Sequence, residues 1–403
     1  MRIYVHSTVP FSNSSYSVLV ARTVPNMVKH GHDVTLGTWY GLSGAIMPWT
    51  IKNGGSPKTV NIIPHHQVSG NTYGEAMLVE NYKFSHSDIC MTISDVFVFS
   101  NVITGNTNFT PWLPIDTDPV PEGIISALVP AIYPMVYSQW GVNQLANKGV
   151  TAHYVPCSAP ADVFKPGDKQ GARATLSPNK DYDFLVTMVA ANKDPYDRKG
   201  FCEALQGFAK FLEKRPQAVL YLHTDWGGPV RIDHIVDSLG IGKNVIQPDQ
   251  FALINGLLND EYMTNVYRAS DLLLNTCKAE GFGLPIVEAQ MCGCPVAATD
   301  FATTDELLFA GWKLDGQLDW YIGADAWRKR VYVDAVADAL EEAYRNKDND
   351  KLRKKARNGA MRFDNNTVFN QYWKPAFKAI EKLIAPVSFG VNGTVAIAET
   401  VQA

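Results

Sequence analysis

Short apolar segments alternate with longer segments of helical period along most of the chain, and this alternation restricts the folds open to it. The segment R-I-Y-V-H (2–6) is typical of a strand, residues 15–31 have helical period, and D-V-T-L-G-T-W-Y (33–40) is a second strand. Another helix is predicted at 200–215, where apolar residues recur at helical spacing. Continuous apolar strands joined by helices predict parallel sheets that are covered on both faces.

The remaining predicted strands form two series along the chain. They are 88–94, 133–138 and 152–156 in the first series, and 183–190, 218–225, 244–248, 271–276 and 295–300 in the second. Between the two series, residues 164–181 are polar and rich in Pro and Gly, which indicates an interdomain linker. We therefore predict an α/β fold of two doubly wound, parallel-sheet domains that face each other, with a ligand in the cleft beyond the strands' carboxyl ends.

The two predicted domains divide the chain at the linker. The N-terminal domain is expected to span residues 1–165 and the C-terminal domain residues 166–365. The pattern is helical from about 334 to 382, and residues 386–403 have the composition of a loose tail.

Composition narrows the class of protein. With 403 residues, 46% of them apolar, and a formal net charge of −4, the chain has a large core and no global attraction for polyanions, so no nucleic-acid partner is expected. The start M-R-I-Y-V-H-S-T-V-P is too short and too polar for a signal peptide, and no apolar run reaches the roughly 18 residues of a membrane helix. Six scattered cysteines favour a reduced, cytoplasmic compartment, and peripheral contact with a membrane stays open.

The segment E-G-F-G-L-P-I-V-E (280–288) places acids on both sides of a glycine-rich turn, directly after a predicted strand. Pro285 suits the first turn of a helix, whose N-terminus favours a phosphate. Gly281 and Gly283 let the backbone approach a ligand, and Glu288 is placed to accept hydrogen bonds from two vicinal hydroxyls, as on a ribose. This set predicts a nucleotide that carries a polyol, although an acid in a first helical turn also offsets the helix dipole without any ligand.

This pattern, E-G-F-G-L-P-x-x-E, resembles the signature of retaining glycosyltransferase family 4, whose members have two Rossmann-like domains in the B-type glycosyltransferase (GT-B) fold. The flanking segments 263–276 and 289–299 resemble the family's neighbouring helices and strands. The resemblance is strong over roughly 183–300 and weaker over 1–165. In this fold a C-terminal helix, here at about 366–385, packs back on the N-terminal domain.

The resemblance implies roles for the residues of this loop. Glu288 is expected to bind the ribose hydroxyls of the donor, and Glu280 to lie near the donor sugar. The backbone at Gly281 and the amides of Phe282, Gly283 and Leu284 are expected to hold sugar or phosphate oxygens.

The segment A-N-K-D-P-Y-D-R-K-G (191–200) supplies candidate cations for a departing diphosphate. Lys199 followed by glycine matches the Lys-Gly pair that contacts the diphosphate in the family. Arg198 is the candidate for the family's Arg, which is commonly placed several residues earlier, near Asn192 or Lys193, so the second cation stays open. A solvated basic helix start is the alternative for Lys199.

The segment D-T-D (116–118) raises a competing hypothesis, because Asp-x-Asp binds a divalent metal in A-type glycosyltransferases. The proline-framed context W-L-P-I-D-T-D-P-V-P also resembles a Pro-x-Asp stretch of family 4, and D-N-D recurs by chance at 348–350. We therefore predict no metal ligands and no cofactor.

The N-terminal domain contributes fewer candidates. The family's Gly-rich loop is replaced by V-P-F-S-N-S-S-Y (9–16), where Ser14 and Ser15 either donate to the donor phosphate or cap the next helix, with capping favoured for Ser15. Many family members place a His or Asp after the fourth strand, and Asp95 stands there in this chain. An ordinary helix N-terminal Asp explains Asp95 equally well.

The predicted function is retaining, metal-independent transfer of a sugar from a nucleotide-diphosphate sugar, with UDP or GDP as the expected nucleotide, to an acceptor hydroxyl. Lys199, Glu280 and Asp95 are the predicted catalytic residues. The alternatives are a nucleotide-sugar binding protein that lacks catalysis, and a phosphorylase or epimerase of the same fold. The donor sugar and the class of acceptor stay open.

Overall fold

Two sheets form the framework of the protein in a computed structural model that describes residues 1–52, 56–65, 72–176 and 181–384. The N-terminal sheet has five strands and continues through isolated parallel bridges into a three-stranded sheet. The C-terminal sheet has six strands and is parallel throughout.

The described elements of the N-terminal domain alternate between strands and helices. They are β1 (Arg2–Ser7), α1 (Ser15–Lys29), β2 (Asp33–Thr38), β3 (Met47–Ile51), β4 (Lys58–Ile63), α2 (Glu75–Phe84), β5 (Ile89–Thr92), α3 (Asn101–Thr104), β6 (Trp112–Leu113), α4 (Glu122–Leu128), β7 (Met135–Val136), α5 (Gln139–Ala146) and β8 (His153–Tyr154).

The C-terminal domain continues the alternation and ends in helices. Its first elements are α6 (Lys169–Leu176), β9 (Phe184–Val189), α7 (Phe201–Leu212), β10 (Ala218–His223), α8 (Ile232–Ser238), a 3₁₀ turn (Gly242–Asn244), β11 (Val245–Ile246), α9 (Gln250–Ile254), α10 (Asp260–Ala269), β12 (Leu272–Asn275), α11 (Leu284–Met291) and β13 (Val296–Thr299). They are followed by α12 (Thr304–Leu307), β14 (Gly311–Leu314), β15 (Gly316–Tyr321), β16 (Ala326–Val331), α13 (Val333–Arg345), α14 (Asp350–Ala360), a 3₁₀ turn (Met361–Phe363), α15 (Asn365–Val368), a π-helical segment (Phe369–Trp373) and α16 (Lys374–Ile384).

Each sheet reverses its winding direction once, and the reversal points position the site. The N-terminal sheet has the strand order β3-β4-β2-β1-β5, and its chain winds outward in both directions from the adjacent pair β1 and β5. The C-terminal sheet has the order β11-β10-β9-β12-β13-β14, and its chain winds outward from the adjacent pair β9 and β12. The loops after these four strands carry Ser14, Asp95, Lys199 and Glu280, in that order. In open α/β sheets, ligands bind at such switch points, beyond the carboxyl ends of the strands. The predicted GT-B architecture is confirmed.

Three details differ from the prediction. Strand β3 runs antiparallel to β4, so one edge of the N-terminal sheet is not parallel. The segment predicted as a linker contains α6, whose Lys169 and Arg173 pair with the buried Asp271, so a polar composition here conceals a packed helix. Strands β15 and β16 form a separate antiparallel hairpin that was not predicted.

The domain boundary at residues 165 and 166 stays a prediction. Residues 177–180 of the predicted linker and the predicted tail 386–403 lie outside the described residues.

The last helices return to the N-terminal domain. The ring of Phe369 stacks on His30 with centroids 4.0 Å apart, and Trp373 contacts Trp112 edge to face at 4.8 Å. None of the described helices is long and apolar enough to cross a bilayer.

Substituting Trp373 by Ala tests this returning helix. Trp373 is 2% exposed, so the variant leaves a cavity against Trp112 and we expect a loss of about 3–5 kcal/mol in the free energy of unfolding. Urea unfolding followed by circular dichroism measures it. Leu383→Ala, on the adjoining helix α16 and 59% exposed, is the control, with a change within about 0.5 kcal/mol. Equal losses in the two variants would contradict the packing described.

Candidate active site

The loop between β12 and α11 brings Glu280 to the cleft. Gly283 has φ +108° and directly precedes α11, and Pro285 lies in the first turn, as predicted. A Cβ atom on Gly281 would lie 2.3 Å from the Cβ of Pro114, so glycine is what allows this loop to approach the N-terminal domain. The Phe282 side chain is buried against Phe363, which leaves only its backbone available to a ligand.

Glu280 and Lys199 form an ion pair in the cleft. The Lys199 Nζ lies 2.7 Å from the Glu280 Oε2, and both side chains remain partly exposed. Burial raises the pKa of Glu280, but Lys199 and Arg198 outweigh burial, so the pKa lies below its ordinary value. The Glu280 carboxylate is therefore ionised at neutral pH and holds the lysine in place.

Arg198 lies beside this pair, as its candidacy as the second cation requires. Its Nη1 donates to the carbonyl oxygen of Ala279 at 2.5 Å and lies 3.7 Å from the Asp116 Oδ2. Asn192, one of the two positions where the family commonly places its Arg, has a structural role here. Its side-chain amide donates hydrogen bonds to the carbonyl oxygens of Asp225 and Val230. Arg198 and Lys199 thus place two fixed cations at one edge of the cleft.

The N-terminal domain faces these cations with carboxylates. Asp95 accepts a hydrogen bond of 2.7 Å from the Tyr16 hydroxyl. Burial raises the pKa of Asp95, against the hydrogen bond from Tyr16 and the charge of Arg198. Burial also raises the pKa of Asp116, which Arg198 opposes. The cleft thus has cations on the C-terminal side and desolvated carboxylates on the N-terminal side.

Tyr16 and Asp116 were not predicted as members of this cluster. Asp116 was considered as part of a metal motif and of a Pro-x-Asp stretch that resembles family 4, without a role in the cluster. It stands just after β6, where the carboxyl end of a strand reaches the cleft. Its carboxylate faces Arg198, whereas Asp118 pairs through its backbone with Trp327. Among the residues that the structure describes, no group of three or more His, Cys, Asp or Glu side chains is arranged to hold a metal ion.

Glu288, the predicted ribose ligand, is buried and already paired. Its Oε1 lies 2.8 Å from the Arg22 Nη2, and its Oε2 accepts a hydrogen bond of 2.7 Å from the Tyr267 hydroxyl. Arg22 lies on α1 of the N-terminal domain and also contacts Asp260 at 3.1 Å. A carboxylate has about four acceptor positions, so binding of a ribose remains compatible with these contacts. The ribose role of Glu288 stays a prediction. The sequence analysis did not identify Arg22 as a partner of Glu288.

The serine loop after β1 forms a hydroxyl network at the N-terminus of α1. Ser14, not Ser15, is the N-cap, because Ser14 has the extended backbone of a cap and accepts a hydrogen bond from the Ser17 amide. The expectation that Ser15 caps the helix is wrong by one residue. From the other domain, Lys193 reaches this loop and donates to the Asn13 carbonyl oxygen at 3.2 Å. Phosphate binding by Ser14 and Ser15 stays a prediction.

Sequence comparison finds similarity to a known family model within the C-terminal domain. Residues 179–360 match the family model described as Glycosyl transferases group 1. A D-inositol 3-phosphate glycosyltransferase of Segniliparus rotundus is 30% identical over 151 residues, which cover 36% of this chain and 30% of the relative. The chain thus spans about a third of the length of this relative. These similarities support the predicted enzyme class, a glycosyltransferase, and the finer assignment to family 4 stays a prediction.

Structural comparison extends over nearly the whole chain. Sucrose-phosphate synthase from Thermosynechococcus elongatus superimposes with a TM-score of 0.71 at 16% identity, covering 94% of this chain and 100% of that one. The Anabaena protein HepE, in complex with UDP and glucose, has a TM-score of 0.68 at 14% identity, with coverage of 94% and 100%. At these identities the likeness shows the shared fold.

Substituting Arg22 by Leu tests the contact between the domains. Arg22 and Glu288 are both less than 10% exposed, so the variant leaves a buried carboxylate without its cation, and we expect a loss of about 3–5 kcal/mol in the free energy of unfolding. Arg2→Leu is the matched control, because the Arg2–Asp88 pair is exposed and its loss should cost less than about 1 kcal/mol. Urea unfolding of both variants makes the comparison, and an Arg22 variant as stable as the control would refute a structural role for the pair.

Proposed function

We propose that the chain is a retaining glycosyltransferase that moves a sugar from a nucleotide-diphosphate sugar to an acceptor hydroxyl. The observation that carries this proposal is the cluster in the cleft, in which Arg198, Lys199 and Glu280 of one domain face Asp95 and Asp116 of the other. The group 1 sequence match of the C-terminal domain supports transfer of a sugar. The donor is assigned to the C-terminal domain, and the acceptor to the N-terminal domain and the parts of the C-terminal domain that contact it.

The two cations are proposed to bind the diphosphate. Breaking the bond between the sugar and the phosphate leaves negative charge on the departing diphosphate, and fixed cations in a partly desolvated cleft stabilise that charge. Glu280 orients Lys199 for this role through their 2.7 Å contact. Because two cations are already held at this position, the proposed reaction does not call for a metal ion.

The carboxylates are proposed to act on the sugar. As its bond to the phosphate stretches, the sugar ring acquires positive charge, which Asp95 and Asp116 on the opposite wall stabilise. In a front-face displacement, the acceptor oxygen bonds to the anomeric carbon while the bond to the phosphate breaks. The acceptor proton then passes to the departing phosphate oxygen. The anomeric configuration is retained because attack and departure occur on the same face.

UDP is the proposed nucleotide. The structural neighbour HepE is known in complexes with UDP and with UDP-glucose, which supports this choice without extending to the sugar. Two enclosed polar atoms, the Thr224 Oγ1 and the Trp226 Nε1, have no hydrogen-bond partner among the described residues, and they lie just beyond the carboxyl end of β10. We assign the base to this end of the sheet.

A cytoplasmic location and the absence of a nucleic-acid partner stay predictions.

Nucleotide binding tests the proposal. We expect UDP to raise the midpoint of thermal unfolding in the presence of a chelator, because ligand at about 100 times its dissociation constant adds roughly 2.7 kcal/mol to the native state. Lys199→Met should weaken UDP about 10- to 100-fold and leave binding of uridine, which has no phosphates, unchanged. GDP, ADP and TDP complete the panel.

Lys210→Met is the control for this experiment, because Lys210 is an exposed lysine of α7 that pairs with the exposed Asp334 at the surface. It should bind UDP as the unmodified chain does. No shift with any of the four diphosphates would contradict the proposed donor, and equal weakening of UDP and uridine by Lys199→Met would contradict the diphosphate role of Lys199.

A further inference from the structure

The hairpin of β15 and β16 bridges the two domains beside the cluster. Its Trp327 exchanges backbone hydrogen bonds of 2.6 and 3.3 Å with Asp118, and its Lys329 amide donates to the Lys278 carbonyl oxygen at 2.9 Å. Asp118 stands two residues after Asp116, and Lys278 two residues before Glu280. The residue between these two anchors, Arg328, is therefore held next to the site where transfer is proposed.

Arg328 is a buried cation with an unused donor. The residue is 8% exposed, and its Nε donates to the Asp319 Oδ2 at 2.9 Å across the hairpin. The guanidinium carbon lies 4.6 Å from the centre of the Tyr321 ring. Its Nη1 is enclosed and has no hydrogen-bond partner among the described residues. Since burying a donor without a partner costs stability, this nitrogen is expected to serve something that the chain alone does not supply.

Two tyrosine side chains follow one another beside Arg328, and the second of them is exposed to solvent. The Tyr321 ring lies edge to face with Tyr196 at 5.9 Å, and Tyr196 is 64% exposed at the rim. The pKa of Tyr321 is raised by burial and by Asp194, while Arg328 and Arg198 oppose the rise, which places its hydroxyl in the field of both arginines. Arg328, Tyr321 and Tyr196 thus form a row of contacts that ends at an exposed ring.

We propose that Arg328, with Tyr321 and Tyr196, forms a subsite for an anionic group of the acceptor, a phosphate or a carboxylate. The assignment to the acceptor rests on the proposed function, in which Arg198 and Lys199 already serve the diphosphate of the donor. A guanidinium presents its N–H groups in a planar fork that matches phosphate and carboxylate oxygens. Asp319 occupies only the Nε of this fork, so the outer nitrogens remain for the ligand.

Binding of inorganic phosphate to the full chain tests this subsite. Isothermal titration is performed with and without saturating UDP, with sodium chloride matching the ionic strength, so that UDP blocks the donor's diphosphate position. We expect Arg328→Gln to weaken phosphate about 10-fold or more in the presence of UDP and to leave the dissociation constant of UDP unchanged. Arg330→Gln is the matched control. Arg330 lies two residues further along the same face of β16, its side chain is half exposed, and its Nε lies 3.8 Å from the Glu203 Oε1.

Two further variants keep the test decisive if Arg328→Gln fails to fold. Arg328→Lys keeps a cation but loses the planar fork, and Tyr321→Phe removes only the hydroxyl. Each should weaken phosphate binding by about 3-fold or more.

Phosphate affinity that is equal in all variants, or lost equally in Arg330→Gln, would overturn the subsite. Equal weakening of UDP and phosphate by Arg328→Gln would overturn it as well, by assigning Arg328 to the donor. If UDP does not bind but Arg328→Gln still abolishes phosphate binding, the anion site stands and the proposed function fails.

Discussion

The buried ion pair between Arg22 and Glu288 is the contact on which the geometry of the cleft depends. It joins a helix of the N-terminal domain to the helix that follows the acid loop, and Tyr267 and Asp260 add further hydrogen bonds to it. Two charges removed from water are tolerated only when they are closely paired, so the pair strongly favours one relative position of the domains. That position brings Asp116 within 3.7 Å of Arg198.

The charges of the cleft match those of the proposed reaction. Arg198 and Lys199 stand on the wall that would receive a departing diphosphate, and Asp95 and Asp116 stand on the wall that faces the sugar. Burial destabilises the ionised carboxylates of Asp95 and Asp116 and so raises their pKa values. A donor that develops positive charge between the walls would relieve this cost in the transition state more than in the ground state, which is the condition for catalysis.

Sequence reasoning found the framework and all of the cluster except Asp116 and Tyr16, because the rest follows from local pattern and from the motifs that resemble the family. Alternation of apolar strands with helices predicts two parallel sheets, and the ends of strands then locate Asp95, Lys199 and Glu280. Contacts between distant parts of the chain have no such local signal. Arg22 meets Glu288 across 266 residues, and nothing in the period of α1 distinguishes it from a solvated arginine. The hairpin did leave a signal, the period-two pattern of Leu318, Trp320 and Ile322 before the Gly323 turn, which was not used.

The configuration of the sugar released by the protein tests the central claim most directly. With an α-linked donor such as UDP-glucose and water as the acceptor, proton NMR recorded within minutes distinguishes the anomer formed first from the one produced by later mutarotation. Retention in this cleft predicts that the α anomer appears first and that Lys199→Met releases neither. A β anomer formed first would contradict the front-face reaction and require attack from the opposite side of the sugar.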